Sequence, residues 1–478
     1  MVLEDKDAAD HALAVALREG ADYAEARLHR NVDTVASLKN GEAEPPGHGE
    51  SYGLGMRVMC GGALAFGATN RLGREGAAAL AASLVRNARS AAALFGKKVA
   101  MSPEDSYMAK WGVPEKERME DVDAGRLLSA LKDLEGEVLS AAGEGKMPFR
   151  LYFLATGVEE KYFTSTQGTR IESRVPRLAF SGVLTGRDSG MVVQRRVQTG
   201  GSGGWEVFEG LGIRERLKSE AGTVARILSS ASKFMGGEMD VIVGPEVAGI
   251  MAHESVGHPG EADRIMGREA AQAGESYLSS SDLGRQVGNG QAMVSDDPTV
   301  PGSSGFYLYD DEGVPARKRS LIDGGRIGEF LQNRETAADF DTRSNGAARA
   351  DSYDREPIVR MANTFVEPGD MALEEMISGV KEGVLLKNFM EWNIDDKRFN
   401  QRYVGHEAYK IEKGELKGLV RNPVLEITTT KLWGSIGGRS RELAFDAATC
   451  GKGDPMQGIP VWHGGPHMLL NGVRVGAR

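Results

Sequence analysis

Apolar positions recur at helical spacing over residues 6–19, where Ala8, Ala12, Val15 and Ala16 share one side and Gly20 marks the stop. The period then shortens to two. Residues 23–29 and 35–39 alternate and predict two strands, and residues 42–51, with two prolines and two glycines, predict a loop. Residues 52–59 and 63–68 flank Cys60-Gly61-Gly62 and predict a hairpin. Helical periodicity returns over 74–95 and over 122–142, the latter carrying Leu127, Leu128, Leu131, Leu134 and Leu139. Residues 148–208 change character again. The segments 149–155, 161–165, 169–175, 178–185 and 192–199 predict successive antiparallel strands, with Gly200 to Gly204 as a flexible joint.

A helix over 214–232, with Ala221, Val224, Ala225 and Leu228 in register, leads to a short apolar strand at 239–243. Gly244-Pro245 ends that strand and opens a helix over 246–254, with Val247, Ile250 and Met251 on its inward stripe, until Pro259-Gly260 stops it. Residues 274–302 are rich in Gly, Ser and Asp and predict a mobile loop. Thereafter turn signals dominate, as in Asp311-Glu312-Gly313 and Asp323-Gly324-Gly325. Two short helices, over 334–340 and 371–382, interrupt a largely β region running to 475. Strands and helices follow one another without strict βαβ alternation, which predicts an α+β fold with antiparallel or mixed sheets. The boundary falls near residue 236. Residues 1–235 form an N-terminal α+β domain with flanking helices, and residues 236–478 form a β-rich C-terminal domain.

Composition narrows the partners. The 478 residues are 41% apolar and 26% charged, ordinary globular usage with room for two or three cores. A net charge of -10 argues against nucleic acid or an anionic membrane as the main partner. No window reaches the roughly 18 apolar residues of a membrane helix, and the charged start, residues 1–10, lacks a signal-peptide core. Cys60 and Cys450 are the only cysteines, which argues against a structural disulfide and for a cytoplasmic location.

The stretch His253-Glu254-Ser255-Val256-Gly257-His258 carries the clearest chemistry. Imidazole is a common zinc ligand, and a neighbouring carboxylate is the usual base of metal-assisted hydrolysis. The spacing is one residue longer than HExxH. On a regular α-helix, positions five apart point roughly 140° away from one another, so both rings cannot face one metal unless the helix bulges. Gly257 is expected to supply that distortion through backbone freedom. Against this stands the plain alternative of a buried helix end with hydrogen-bonded histidines. A third ligand is needed. Cys450, among glycines in Cys450-Gly451-Lys452-Gly453, is one candidate, though it also fits a small core residue. His406, expected on a strand, could be a ligand or a substrate contact. His463 and His467 lie near Cys450 in sequence, and a Cys450–His463 nucleophile pair is a further alternative. Glu261 and Asp263 follow the motif and are expected to stand behind a ligand rather than bind the metal. Cys60 is expected to be structural. The arginine-bearing stretch 343–360 is interleaved with acids and reads as a polar surface, one that could engage a peptide.

These residues resemble the TldD/PmbA family of metalloproteases, in its TldD-type, metal-bearing branch. The resemblance rests on the HExxxH motif followed by Pro259-Gly260-Glu261-Ala262-Asp263, on Ile322-Asp323-Gly324-Gly325-Arg326-Ile327-Gly328, and on Ser352-Tyr353 with Arg360-Met361-Ala362-Asn363-Thr364. Glu407-Ala408-Tyr409, Cys450-Gly451-Lys452-Gly453 and Gly458-Ile459-Pro460-Val461 complete it. It implies a zinc (Zn2+) site made by His253, His258 and Cys450, with Glu254 as catalytic base. It also implies peptides or unfolded chains bound in extended form, and a dimer, either with itself or with a PmbA-like paralogue. A non-catalytic subunit of such a complex, with a structural zinc, is the alternative. The polar and aromatic segment from Trp462 to His467 departs from the plainer stretch expected after the cysteine.

Overall fold

The structure, a computed structural model, describes residues 3–94, 96, 98–142, 147–269, 274–453 and 455–477. The fold is α+β. Its first half is built on one twisted sheet whose strands run, in order, Ala63–Thr69, Gly47–Cys60, Tyr23–Lys39, Phe149–Ser165, Arg170–Asp188 and Met108–Gly112; Met191–Ser202 also pairs with Arg170–Asp188. One row of this sheet, Leu28, Leu54 and Tyr162, is buried against helices Lys6–Arg18 and Arg74–Leu94. Farther along the same strands, Leu38, Tyr152, Leu154, Phe180 and Leu184 are buried against helices Ala124–Ala142 and Ile213–Ser230.

Several elements are longer than their local pattern predicts. Residues 23–39 form one strand, not two. The polar stretch between the expected strands faces another part of the chain: Asn31 Nδ2 donates to the Asp351 carbonyl at 2.8 Å. Strands 149–165 and 170–188 each absorb two expected segments; in the second, Pro176 forgoes one N–H without ending the strand. Within the expected loop 42–51, Glu42–Ala43 already pairs with the first long strand, residues 44–46 are irregular, and Gly47 onward is paired with that strand again. Gly200 to Gly204 is not a flexible joint. The strand runs to Ser202, the glycines are buried, and the Gly200 carbonyl accepts from Trp462 Nε1 at 2.8 Å. The predicted end of the second helix, at Phe95, lies outside the described residues.

In the second half a ten-stranded sheet and a six-stranded sheet enclose the largest core. Strand Gly237–Val243 sits within the first of these, between Glu382–Leu386 and Met468–Ala477. Helix Pro245–Ala252 follows it directly and packs on strand Gln457–Gly465 of the second sheet. The contact is close: a Cβ on Gly249 would lie 2.6 Å from the Gly464 nitrogen. The helix expected over 371–382 is shorter, Leu373–Gly379, because the chain re-enters a sheet at Glu382. The Gly- and Ser-rich segment 274–302 is irregular but contributes a buried strand, Val294–Asp296.

Candidate metal centre

Helix Pro245–Ala252 is α-helical only as far as the motif. From His253 to Gly257 the backbone widens into a π turn, closed by a bond from the His258 N–H to the His253 carbonyl. That five-residue closure removes the roughly 140° mismatch of an α-helix and stacks the two histidines on one face. The ring centroids lie 4.9 Å apart and nearly perpendicular. The role expected of Gly257 needs correction. Its backbone is ordinary right-handed helix, at φ -59° and ψ -64°, so no special freedom is used. A Cβ there would lie 1.9 Å from Met361 Sδ; glycine is required for packing. Ser255 secures the turn, donating to the Met251 carbonyl at 2.6 Å while accepting from Trp433 Nε1 at 3.1 Å.

Strand Ala444–Lys452, the outer strand of the six-stranded sheet, brings Cys450 to the same place. One ligand atom each of His253, His258 and Cys450 lies within 4.8 Å of the others, and all three residues are buried. Cys450 Sγ is 3.4 Å from His258 Nε2. Tetrahedral zinc with ordinary bond lengths would hold a sulfur and a nitrogen roughly 3.6 Å apart, so the spacing fits. Burial alone pushes the Cys450 thiol up, but His258 and Arg360 beside it bring it below its usual value. Burial likewise lowers both histidines toward the neutral, ligating form. His258 Nδ1 lies 3.1 Å from Glu261 Oε2, which turns Nε2 toward the thiol. Burial pushes the Glu261 carboxyl up, yet Lys452, His258 and Arg264 hold it well below the usual range. Lys452 Nζ also binds Asp263 at 2.7 Å. The two acids therefore stand behind the cluster, as expected.

The cluster opens into a cleft of about 660 Å³. Glu254 lines it and accepts from Arg398 Nη1, a residue 144 positions away. The first sheet supplies another wall through Arg195, Arg196 and Gln198. Arg195 donates to both oxygens of Glu246, at 2.7 and 2.6 Å, and to Glu220 at 2.9 Å. Arg216 meets Asp446 at 2.6 Å.

Of the remaining candidates, His463 lines the same cleft and the others fall elsewhere. His463 is buried beside His253, with centroids 6.1 Å apart, and burial lowers its pKa to about 4. The thiol's partner is His258, not His463, so the nucleophile pair suggested by sequence proximity does not form. His406 lies in the turn between two strands rather than on one, buried and outside the cleft lining. His467 also lies outside that lining. Cys60 is buried at the end of its strand, 3.7 Å from the Gly20 carbonyl. The stretch 343–360 is not simply surface. Arg349 and Arg360 are buried; the first donates to the Met361 and Pro460 carbonyls, and the second to the Cys450 and Gln457 carbonyls. Sequence reading missed Arg398, and missed the role of Arg360 behind the Cys450 strand, since neither sits in a local pattern that betrays its distant partner.

An α+β fold that walls a buried His-His-Cys cluster and a glutamate into one cleft defines a class of protein suited to holding a transition metal. Three family models match in series: PmbA/TldA metallopeptidase domain 1 over residues 24–88, the central domain over 117–229 and the C-terminal domain over 236–477. The chain belongs to the PmbA/TldA metallopeptidase family. A metalloprotease of Methanocaldococcus jannaschii is 27% identical over 94% of this chain and 96% of its own. A zinc metalloprotease TldD homolog of Saccharolobus solfataricus is 33% identical over 50% of this chain and 52% of its own. Among solved structures, a candidate DNA gyrase modulator from Thermotoga maritima superposes with a TM-score of 0.78 at 17% identity, covering 98% of this chain and all of that one. TldE from Thermococcus kodakarensis does so at 0.75 and 16%, with the same coverage. Among the described residues no helix is long and apolar enough to cross a membrane.

Proposed function

We propose that the protein is a zinc-dependent peptidase acting on peptides or unfolded chains, with His253, His258 and Cys450 as metal ligands and Glu254 as general base. The observation that carries this reading is the convergence of two imidazoles and a thiol, from segments far apart in sequence, beside a cleft-lining carboxylate. Zinc when bound would polarise the scissile carbonyl and acidify water. Glu254 then takes a proton from the attacking water and returns it to the amide nitrogen as the C–N bond breaks. Glu261 keeps His258 oriented throughout. Strand Ala444–Lys452, outermost in its sheet, offers backbone groups to an extended peptide and suits broad sequence tolerance. In this reading residues 236–478 carry the metal site, residues 1–235 wall the cleft, and the working form is a dimer.

The test is metal analysis of the purified full chain together with cleavage of an unfolded fluorogenic peptide, with and without a chelator. One zinc per chain and chelator-sensitive cleavage are expected. Glu254→Gln should keep the zinc and lose cleavage by at least about 100-fold; normal turnover would end the assignment. A chain that holds zinc but cleaves only with a second protein added would favour the non-catalytic reading.

A further inference from the structure

The cleft holds an arginine that the zinc–glutamate scheme leaves without a task. Arg398 sits in the turn between strands Phe389–Ile394 and Asn400–Gly405, and its backbone is left-handed, at φ 63°. For a long, non-glycine side chain this backbone is unfavourable and persists only where the surroundings over-determine it. Here they do. The Arg398 N–H donates to the Asp395 carbonyl at 2.9 Å, and the Arg398 carbonyl accepts from Thr429 Oγ1 at 2.9 Å. Asp395 Oδ1 accepts from the Phe399 N–H at 2.7 Å, and the Phe399 ring packs on Tyr277, 5.8 Å between centroids. The outcome of this fixing is a guanidinium delivered to Glu254, in the same cleft wall as His253, His258 and Cys450.

We propose that Arg398 is a catalytic residue, which passes from Glu254 to the scissile carbonyl oxygen as negative charge develops there. The inference rests on the peptidase reading and follows from where charge moves in that step. Attack forms a bond from the water oxygen to the carbonyl carbon. The carbonyl π pair becomes a lone pair on oxygen, and the water's proton goes to Glu254. Glu254 thus loses its charge at the moment the new oxyanion gains one. A cation held between the two follows the charge at little reorganisation cost, which is the condition for strong electrostatic stabilisation in a water-poor site. The other arginines of the cleft are engaged or exposed: Arg195 is buried and held by Glu246 and Glu220, Arg216 pairs with Asp446, and Arg196 is exposed. Collapse breaks the C–N bond, restores the carbonyl and sends the proton from Glu254 to the leaving nitrogen, so that Arg398 returns to a carboxylate.

The experiment compares zinc-loaded, full-length wild type with Arg398→Ala and Arg398→Lys. Zinc content and hydrolysis of an unfolded fluorogenic peptide are measured, with calorimetric binding of a phosphinic peptide (a tetrahedral, oxyanion-like mimic) and of a hydroxamic acid. For Arg398→Ala the zinc should remain and kcat should fall roughly 100- to 1,000-fold, with KM changed by less than about threefold. Affinity for the phosphinic peptide should fall in parallel while that for the hydroxamic acid does not, and added guanidinium ion should restore part of kcat. Arg398→Lys should fold and bind zinc as wild type does, yet recover little of kcat, because a point charge does not reproduce the planar fork. Unchanged kcat, a rise confined to KM, unchanged phosphinic affinity, or loss of zinc from both variants would each overturn the proposal. A wild type that neither cleaves peptide nor binds the phosphinic compound would overturn the peptidase reading itself and this inference with it.

Discussion

A buried imidazole with no hydrogen-bond partner is costly to protonate, and His406 is such a group. It is 2% exposed, neither ring nitrogen finds a partner among the described residues, and burial followed by the nearby Arg195 lowers its pKa to about 3. An unfolded chain protonates the same residue near pH 6.5. Because the folded value is the lower one, stability is lost as pH falls below about 6.5, and the loss continues toward the folded pKa. Between pH 7 and 5 the penalty is about 2 kcal/mol. His406→Gln should remove it, so the difference in urea stability between wild type and variant should shift by about that amount over this interval. Parallel pH dependences would show that His406 is protonated without cost.

At the scale of the element, the extra residue in HExxxH and the glycine before the second histidine have separate causes. The π turn aligns the rings, and Ser255 with Trp433 holds it. Gly257 leaves room for Met361, which is itself fully buried. Gly257→Ala, though conformationally harmless at these backbone angles, should therefore destabilise the protein by about 1–3 kcal/mol through overpacking. It should also weaken zinc binding by displacing His258. Pairing it with Met361→Ala should restore part of the metal affinity, as read by titration against a chromophoric chelator. Equal zinc affinity in wild type and Gly257→Ala would refute the packing account. The i, i+5 spacing was legible as a bulged helix, because periodicity alone excludes a regular one. The role of Gly257 was not, because Met361 lies about a hundred residues away and leaves no trace in the local pattern.

Across the whole molecule, the two halves meet through buried charge as well as apolar contact. Arg57 of the first sheet is 2% exposed and bridges Glu25 and Glu312, each at 2.5 Å. Arg334 of the second half reaches the Ser102 carbonyl and the Tyr23 hydroxyl of the first. Removing one member of such a network strands the others away from water. Arg57→Met should cost about 3–5 kcal/mol in denaturant unfolding yet leave zinc stoichiometry unchanged, since its partners are not those of the metal cluster. A loss below about 1 kcal/mol would mean that the carboxylates are solvated or protonated at little cost.

By itself the sequence determined the local and the repetitive. Helical and strand periods, turn residues, the α+β class and the family motifs all depend on spacing within a short window, where chain geometry alone dictates which side chains share a face. It also held the donor types of the candidate site, because only a few residues can ligate a metal at all. Tertiary structure decided what spacing cannot encode. It merged polar-interrupted segments into long strands, since the interruptions face a partner rather than solvent. It set Cys450 against His258 rather than His463, placed Arg398 on Glu254, and buried Arg349 and Arg360, the latter on the Cys450 carbonyl. Those choices rest on contacts between segments separated by tens to hundreds of residues. Their energy depends on burial and on the charge of neighbours that only the folded chain brings together.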